Sequence, residues 1–270
     1  MRVRSGDGLN LEVAERGEGP PVMLLHGFGG SSKAWGEAAL AGLAQRHHTL
    51  AVDLHGHGAS EDPASAVQLG LELVLDDLER VMDTAGVGSC PWVGYSMGGR
   101  LTLAAALLRP ERVGRVVLES ASPGLDSDDE RRERRGFDEK LARRVVEEGV
   151  DSWVEAWEES PLFVGRGSLA PVVREAFIDD RRANRPGSLA AWLRAFGVGS
   201  QPSFWRRLHD VGVPALLVTG VGDSKYSELA RRMALQIPGA RHVVVPGAGH
   251  TVHLEAPAAW LDEVLAFLDE

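Results

Sequence analysis

The stretch Gly94-Tyr95-Ser96-Met97-Gly98-Gly99-Arg100 decides the fold. An apolar run from Cys90 to Val93 leads into it, and a helix-forming run from Leu101 to Leu108 leads out. This is a G-x-S-x-G turn between a strand and a helix, the context that gives the motif its meaning. Glycines two before and two after Ser96 let strand and helix approach closely, which leaves the serine exposed at the tip. The free N–H groups of the following helix point at the same spot and favour negative charge there. A serine so placed serves as a nucleophile or a proton carrier.

Outward from the turn, strand-like and helix-like segments alternate. Val22–Leu25 reads as a buried strand ending in His26-Gly27-Phe28-Gly29-Gly30. Ser32–Gln45 follows as a helix capped by Ser31 or Ser32, Thr49–Leu54 as a strand, and Val67–Ala85 as a helix. Cys90–Tyr95 is a strand, Ser96–Leu108 a helix stopped before Pro110, and Arg115–Glu119 a strand. Such alternation predicts an α/β fold with a mostly parallel sheet and helices on both faces.

The pattern breaks after Ser122-Pro123-Gly124. From Asp126 to Asp210 no stretch reads as a core strand, and amphipathic helical patterns are interrupted by Pro161, Pro171, Pro186 and Pro202. Four of the seven tryptophans fall there (Trp153, Trp157, Trp192, Trp205), too many for a solvated linker. Residues 123–210 are therefore expected to form an α-helical lid inserted in a core made of residues 1–122 and 211–270. The alternation resumes with Pro214–Thr219, Ser227–Gln236, Arg241–Val245 and His253–Leu268.

The 270 residues suit one large domain with an insertion. The formal net charge of −10 speaks against a nucleic-acid or anionic-membrane partner. The single cysteine, Cys90, excludes an intrachain disulfide and a cysteine metal cluster, and its apolar neighbours make it a core residue. Met1 to Glu18 is polar and glycine-broken, unlike a secretion signal, and no apolar run approaches the roughly 20 residues of a membrane helix. The expectation is a cytoplasmic protein without membrane insertion, its monomeric or oligomeric state open.

A catalytic serine needs a base, and the base needs an orienting acid. Asp223 follows strand Pro214–Thr219 in Gly220-Val221-Gly222-Asp223, and His250 follows strand Arg241–Val245 in Gly247-Ala248-Gly249-His250. Both fall at strand C-termini, where a parallel sheet delivers its chemistry. Ser96, Asp223 and His250 are the expected catalytic residues. An oxyanion site needs two backbone donors, for which the N–H groups of Phe28 and Met97 are placed. His26 reads as a brace for its loop. His55 and His57, in the turn Asp53–Ser60, read as turn-stabilising, so no metal and no cofactor are expected.

Taken together, the His26-Gly27-Phe28 loop, the Asp53–Ser60 turn, the serine turn and Gly249-His250 resemble the α/β-hydrolase superfamily over nearly the whole chain. More narrowly, Val93 to Arg100, Glu119-Ser120-Ala121-Ser122-Pro123-Gly124-Leu125, Trp157 to Phe163, Asn184-Arg185-Pro186, Gly199-Ser200-Gln201-Pro202-Ser203 and Gly222-Asp223-Ser224-Lys225-Tyr226 resemble the 2-succinyl-6-hydroxy-2,4-cyclohexadiene-1-carboxylate synthases of menaquinone biosynthesis, the MenH family. Met97 stands where that pattern has leucine, a volume-conserving change that leaves the backbone donor intact.

The resemblance implies a lyase. It eliminates pyruvate from 2-succinyl-5-enolpyruvyl-6-hydroxy-3-cyclohexene-1-carboxylate, a small-molecule tricarboxylate, with the triad acting as base. Arg100 lies one helical turn past Ser96 on the same face, within reach of a carboxylate held over the serine. The resemblance adds Arg134 and Arg181 as further carboxylate ligands and Tyr95, Trp157 and Phe163 as pocket residues. Arg131, Arg132 and Arg135 read as a solvated helix face, and Trp153 and Trp192 as lid core. Two other readings compete: a serine hydrolase on the same scaffold (an esterase or a C–C bond hydrolase), and a non-catalytic binding protein. A neutral ester gives no reason for three arginines, and a binding protein gives none for an aligned triad.

Overall fold

The computed structural model of the chain describes residues 1–160 and 169–270. An eight-stranded sheet runs in the order β1-β2-β4-β3-β5-β6-β7-β8. Strands β3 (Pro21–Leu25), β4 (His48–Asp53), β5 (Cys90–Tyr95), β6 (Val113–Glu119), β7 (Ala215–Gly220) and β8 (Arg241–Val245) are parallel. β1 (Arg2–Arg4) and β2 (Asn10–Arg16) add an antiparallel edge. The polar reading of the N-terminus passed over these two strands. Their inward side carries only Val3, Leu11 and Val13, buried at alternate positions, while the charged residues between them face outward.

Alternation within the parallel strands sorts side chains to two cores. Met23, Leu25, Leu50, Val52 and Trp92 pack with α2 (Leu71–Thr84), α3 (Met97–Leu108) and α7 (Ser224–Ala234). Val22, Leu24, Ala51 and Val93 pack on the other face with α1 (Gly36–Ala44) and α9 (Pro257–Leu268). Helix α3 is buried almost all round, as its uniformly apolar sequence requires.

Between β6 and β7 run α4 (Asp128–Glu158), α5 (Pro171–Arg182) and α6 (Pro186–Phe196). α4 breaks at Gly149, where φ is +86°. α4 and α6 share a small core of Ala142, Val145, Trp153, Val154, Leu189 and Leu193, against which Phe28 and Trp157 pack. Polar bonds fasten this segment to the core loops. Asn184 Nδ2 donates to Gly29 O (2.7 Å), Ser31 Oγ to Asp180 Oδ1 (2.5 Å), and Trp192 Nε1 to His55 O (2.7 Å). Among the described residues no helix is long and apolar enough to cross a membrane.

Candidate active site

The turn after β5 holds Ser96 at φ +51°, ψ −106°, a backbone state a non-glycine residue rarely adopts. The neighbouring glycines are needed for close approach. A Cβ at Gly98 would lie 1.9 Å from Leu25 O, and one at Gly94 would lie 2.4 Å from Gly98 O. The end of β3 and the first turn of α3 thus meet directly, which brings the Phe28 loop beside Ser96.

Three side chains from separate elements form one hydrogen-bonded chain. Ser96 Oγ is 3.2 Å from His250 Nε2, and His250 Nδ1 donates to Asp223 Oδ2 at 2.6 Å. Asp223 and His250 are buried. Asp223 also caps α7, because Tyr226 N–H donates to its other oxygen (3.3 Å). Capping α7 and partnering His250 coexist in one carboxylate. The His250 loop is held by α8 (Val252–Glu255): Gly249 N–H and Thr251 N–H, on either side of His250, donate to the two oxygens of Glu255 (2.8 and 2.9 Å). Behind it His253 Nδ1 lies 2.8 Å from the fully buried Glu119 carboxylate and its Nε2 3.0 Å from Ala34 O.

The Phe28 loop is braced by two buried imidazoles, those of His26 and His57, their centroids 4.9 Å apart and their planes tilted by 59°. Leu54 N–H donates to His26 Nε2 (3.1 Å) and His26 Nδ1 donates to Gly27 O (2.8 Å). Gly29 N–H donates to His57 Nε2 (3.2 Å) and His57 Nδ1 donates to His55 O (3.2 Å). Each ring needs one bare nitrogen for this pattern, so both are neutral, and burial pushes both pKa values down, that of His57 furthest. His55 meets Asp77 at 3.0 Å, a partner 22 residues on that sequence spacing did not suggest, and Asp7 lies close by. Gly6 N–H, Ser5 and Gln68 donate to these carboxylates, so the group ties the β1–β2 turn to α2.

Ser96 and His250 open into a cavity lined also by Phe28, Tyr95, Met97, Arg100, Arg134, Trp157 and Arg181. Asp223 stands behind His250, and Phe163 lies outside the described residues. Arg100 is buried. Its Nη1 donates to Phe196 O (2.9 Å) and Gln201 Oε1 (2.5 Å), and its guanidinium sits 4.8 Å from the Phe196 ring centroid. Burial pulls its pKa down to about 10, which leaves it a cation at neutral pH. Only its Nε–Nη2 edge remains to face a ligand. Arg134 Nε donates to buried Asp138 (2.7 Å), and Arg181 lies 3.6 Å from the Phe177 ring centroid.

The cavity is also lined by Trp192, Leu193, Phe196, Lys225 and Tyr226, none of which was assigned to a site from sequence. Trp192, Leu193 and Phe196 follow ordinary core periodicity. Tyr226 packs its ring 4.6 Å from that of His250, and burial raises its pKa, so its hydroxyl stays protonated. Arg131 and Arg135 depart from a simple solvated face: Arg131 donates to Leu125 O (2.7 Å) and Arg135 to Gly199 O (3.0 Å).

Residues 20–257 match the family model of the alpha/beta hydrolase fold. A Bacillus subtilis (strain 168) protein provisionally named 2-succinyl-6-hydroxy-2,4-cyclohexadiene-1-carboxylate synthase is 36% identical, over 99% of this chain and 98% of its own. The Serratia proteamaculans (strain 568) protein of that name is 30% identical, over 96% of this chain and 98% of its own. The solved structure of MenH from S. aureus superposes with a TM-score of 0.89 at 30% identity, covering 96% of this chain and 97% of that one.

Proposed function

The chain belongs to the α/β-hydrolase fold family and within it to the 2-succinyl-6-hydroxy-2,4-cyclohexadiene-1-carboxylate synthases, and from that premise we propose how its residues carry out the lyase reaction of menaquinone biosynthesis. The reaction eliminates pyruvate from 2-succinyl-5-enolpyruvyl-6-hydroxy-3-cyclohexene-1-carboxylate. One observation carries the assignment of roles. The chain Asp223–His250–Ser96 opens into a cavity that holds Arg100, Arg134 and Arg181, and no acidic side chain among the described residues lines it.

His250, held in one tautomer by Asp223, takes the Ser96 proton. The Ser96 oxygen then removes a ring proton from the substrate, which makes the serine a proton carrier and leaves it without a covalent bond to carbon. Negative charge develops on the dienolate oxygen, and the N–H groups of Phe28 and Met97 are assigned to receive it. The ring C–O bond to the enolpyruvyl group breaks as the second ring double bond forms, and the departing enolate takes up one proton, balanced by the proton His250 gives up, to leave as pyruvate. Arg100, through its Nε–Nη2 edge, and Arg134 and Arg181 hold substrate carboxylates. Tyr95, Trp157 and Phe163 are assigned as pocket walls, and residues 123–210 as the lid that excludes water.

A coupled pyruvate-release assay, run beside a panel of p-nitrophenyl esters, tests this reading. Pyruvate release that outpaces ester hydrolysis, and is nearly abolished in Ser96→Ala, is the expected result. Fast ester hydrolysis without pyruvate release would instead assign the chain to the hydrolases of the same fold.

A further inference from the structure

Among the described residues Lys225 has no hydrogen bond or ion pair, and its one aromatic neighbour is Tyr226. Arg134 is paired with Asp138, and Arg100 gives Nη1 to Phe196 and Gln201. Among the described residues no carboxylate lies within ion-pairing distance of the Lys225 ammonium, and its side chain is exposed at the cavity wall. Lys225 is the second residue of α7, beside the Asp223 cap, and the first turn of that helix holds no acidic residue to pair with it. The ammonium lies 5.6 Å from the Tyr226 ring, and that ring lies 4.6 Å from His250, so Lys225 flanks the base. Arg181 belongs to α5, at the end of the helical segment fastened to the Phe28 loop.

We propose that Lys225 is a substrate-binding residue, its ammonium holding one carboxylate of a polycarboxylate substrate on the His250 side of the cavity. The inference rests on the lyase reading and deepens it. Four cations then serve three carboxylates, with the compact charge of lysine at the exposed wall and the planar guanidinium of Arg100 buried in the cavity. A contact made equally in the ground state and the transition state affects KM and leaves kcat alone.

The test pairs kinetics with binding in Lys225→Met, beside Lys140→Met as a control on the outer surface of α4. Lys225→Met is expected to raise KM for the enolpyruvyl substrate about ten-fold and to hold kcat within about two-fold, the size of one charge-assisted hydrogen bond. Calorimetry then compares propane-1,2,3-tricarboxylate with glutarate, which lacks the central carboxylate. The wild-type protein is expected to prefer the tricarboxylate, and Lys225→Met to lose that preference. Normal pyruvate release with KM unchanged in Lys225→Met overturns the role of Lys225 and leaves the lyase reading standing. A large fall in kcat with KM unchanged also overturns it. No pyruvate release, but tricarboxylate binding that depends on Lys225, overturns the lyase reading alone. Neither pyruvate release nor tricarboxylate binding in the wild type overturns both.

Discussion

Asp223→Asn removes both the tautomer and the charge that the proposed triad needs, because the same carboxylate has two hydrogen-bonding jobs. One oxygen accepts from Tyr226 N–H and caps α7, and the other faces His250 Nδ1 at 2.6 Å. Asparagine keeps an acceptor for the cap only by turning its NH2 toward His250. The ring then places its bare nitrogen at Nδ1 and its N–H against Ser96 Oγ, the wrong tautomer for a base. The lost charge adds to this. A carboxylate centred about 4 Å from an imidazolium at an effective dielectric of about 20 contributes about 4 kcal/mol. That corresponds to about a thousand-fold in rate. Single-turnover pyruvate release should therefore fall about a thousand-fold or more, while KM and the thermal midpoint stay close to wild type. A fall of less than about ten-fold would refute the reasoning, because neither the tautomer nor the charge would then matter to the proton transfer.

Two further outcomes follow from the site. Arg100→Met should lower kcat/KM by about ten- to a hundred-fold through loss of a buried charge-assisted contact, with circular dichroism unchanged; wild-type kinetics would show that no carboxylate reaches Arg100. His26 and His57, buried and neutral with lowered pKa values, link stability to pH. Above about pH 6.5 neither the folded nor the unfolded rings take up protons. Below it only the unfolded rings do, so stability falls by up to about 1.4 kcal/mol per ring per pH unit until each lowered folded value is passed. Urea unfolding at pH 7.5 and 5.5 should show this loss. His57→Gln should flatten it by about half, and an unchanged slope would exclude the linkage.

The parts of the fold that sequence made legible are those where one residue type is sterically required. β5 and β8 run over the segments expected, and Ser96 stands at the tip between β5 and α3, because glycines and an apolar run admit few alternatives there. β1 and β2 were passed over because an edge strand with one wet face looks polar. Along the cavity wall, spacing from Ser96 pointed to Arg100, and the resemblance supplied Arg134, Arg181, Tyr95 and Trp157, whereas Trp192, Leu193 and Phe196 present the same periodicity whether they face a core or a substrate. Lys225 and Tyr226 were visible only as part of a motif, since nothing in the spacing says that α7 turns its first residues toward His250. The pairing of His55 with Asp77 depends on a tertiary contact that sequence spacing does not carry, whereas Arg134 and Asp138 stand four residues apart on α4.

The central claim is that Ser96 carries a ring proton and makes no bond to carbon. The most direct measurement is single-turnover pyruvate release from substrate deuterated at the ring carbon that loses its proton, with intact-protein mass recorded during the turnover. The account predicts release slowed about three-fold or more by deuterium, with no mass added to the protein. An unchanged rate together with a covalent adduct on Ser96 would contradict it.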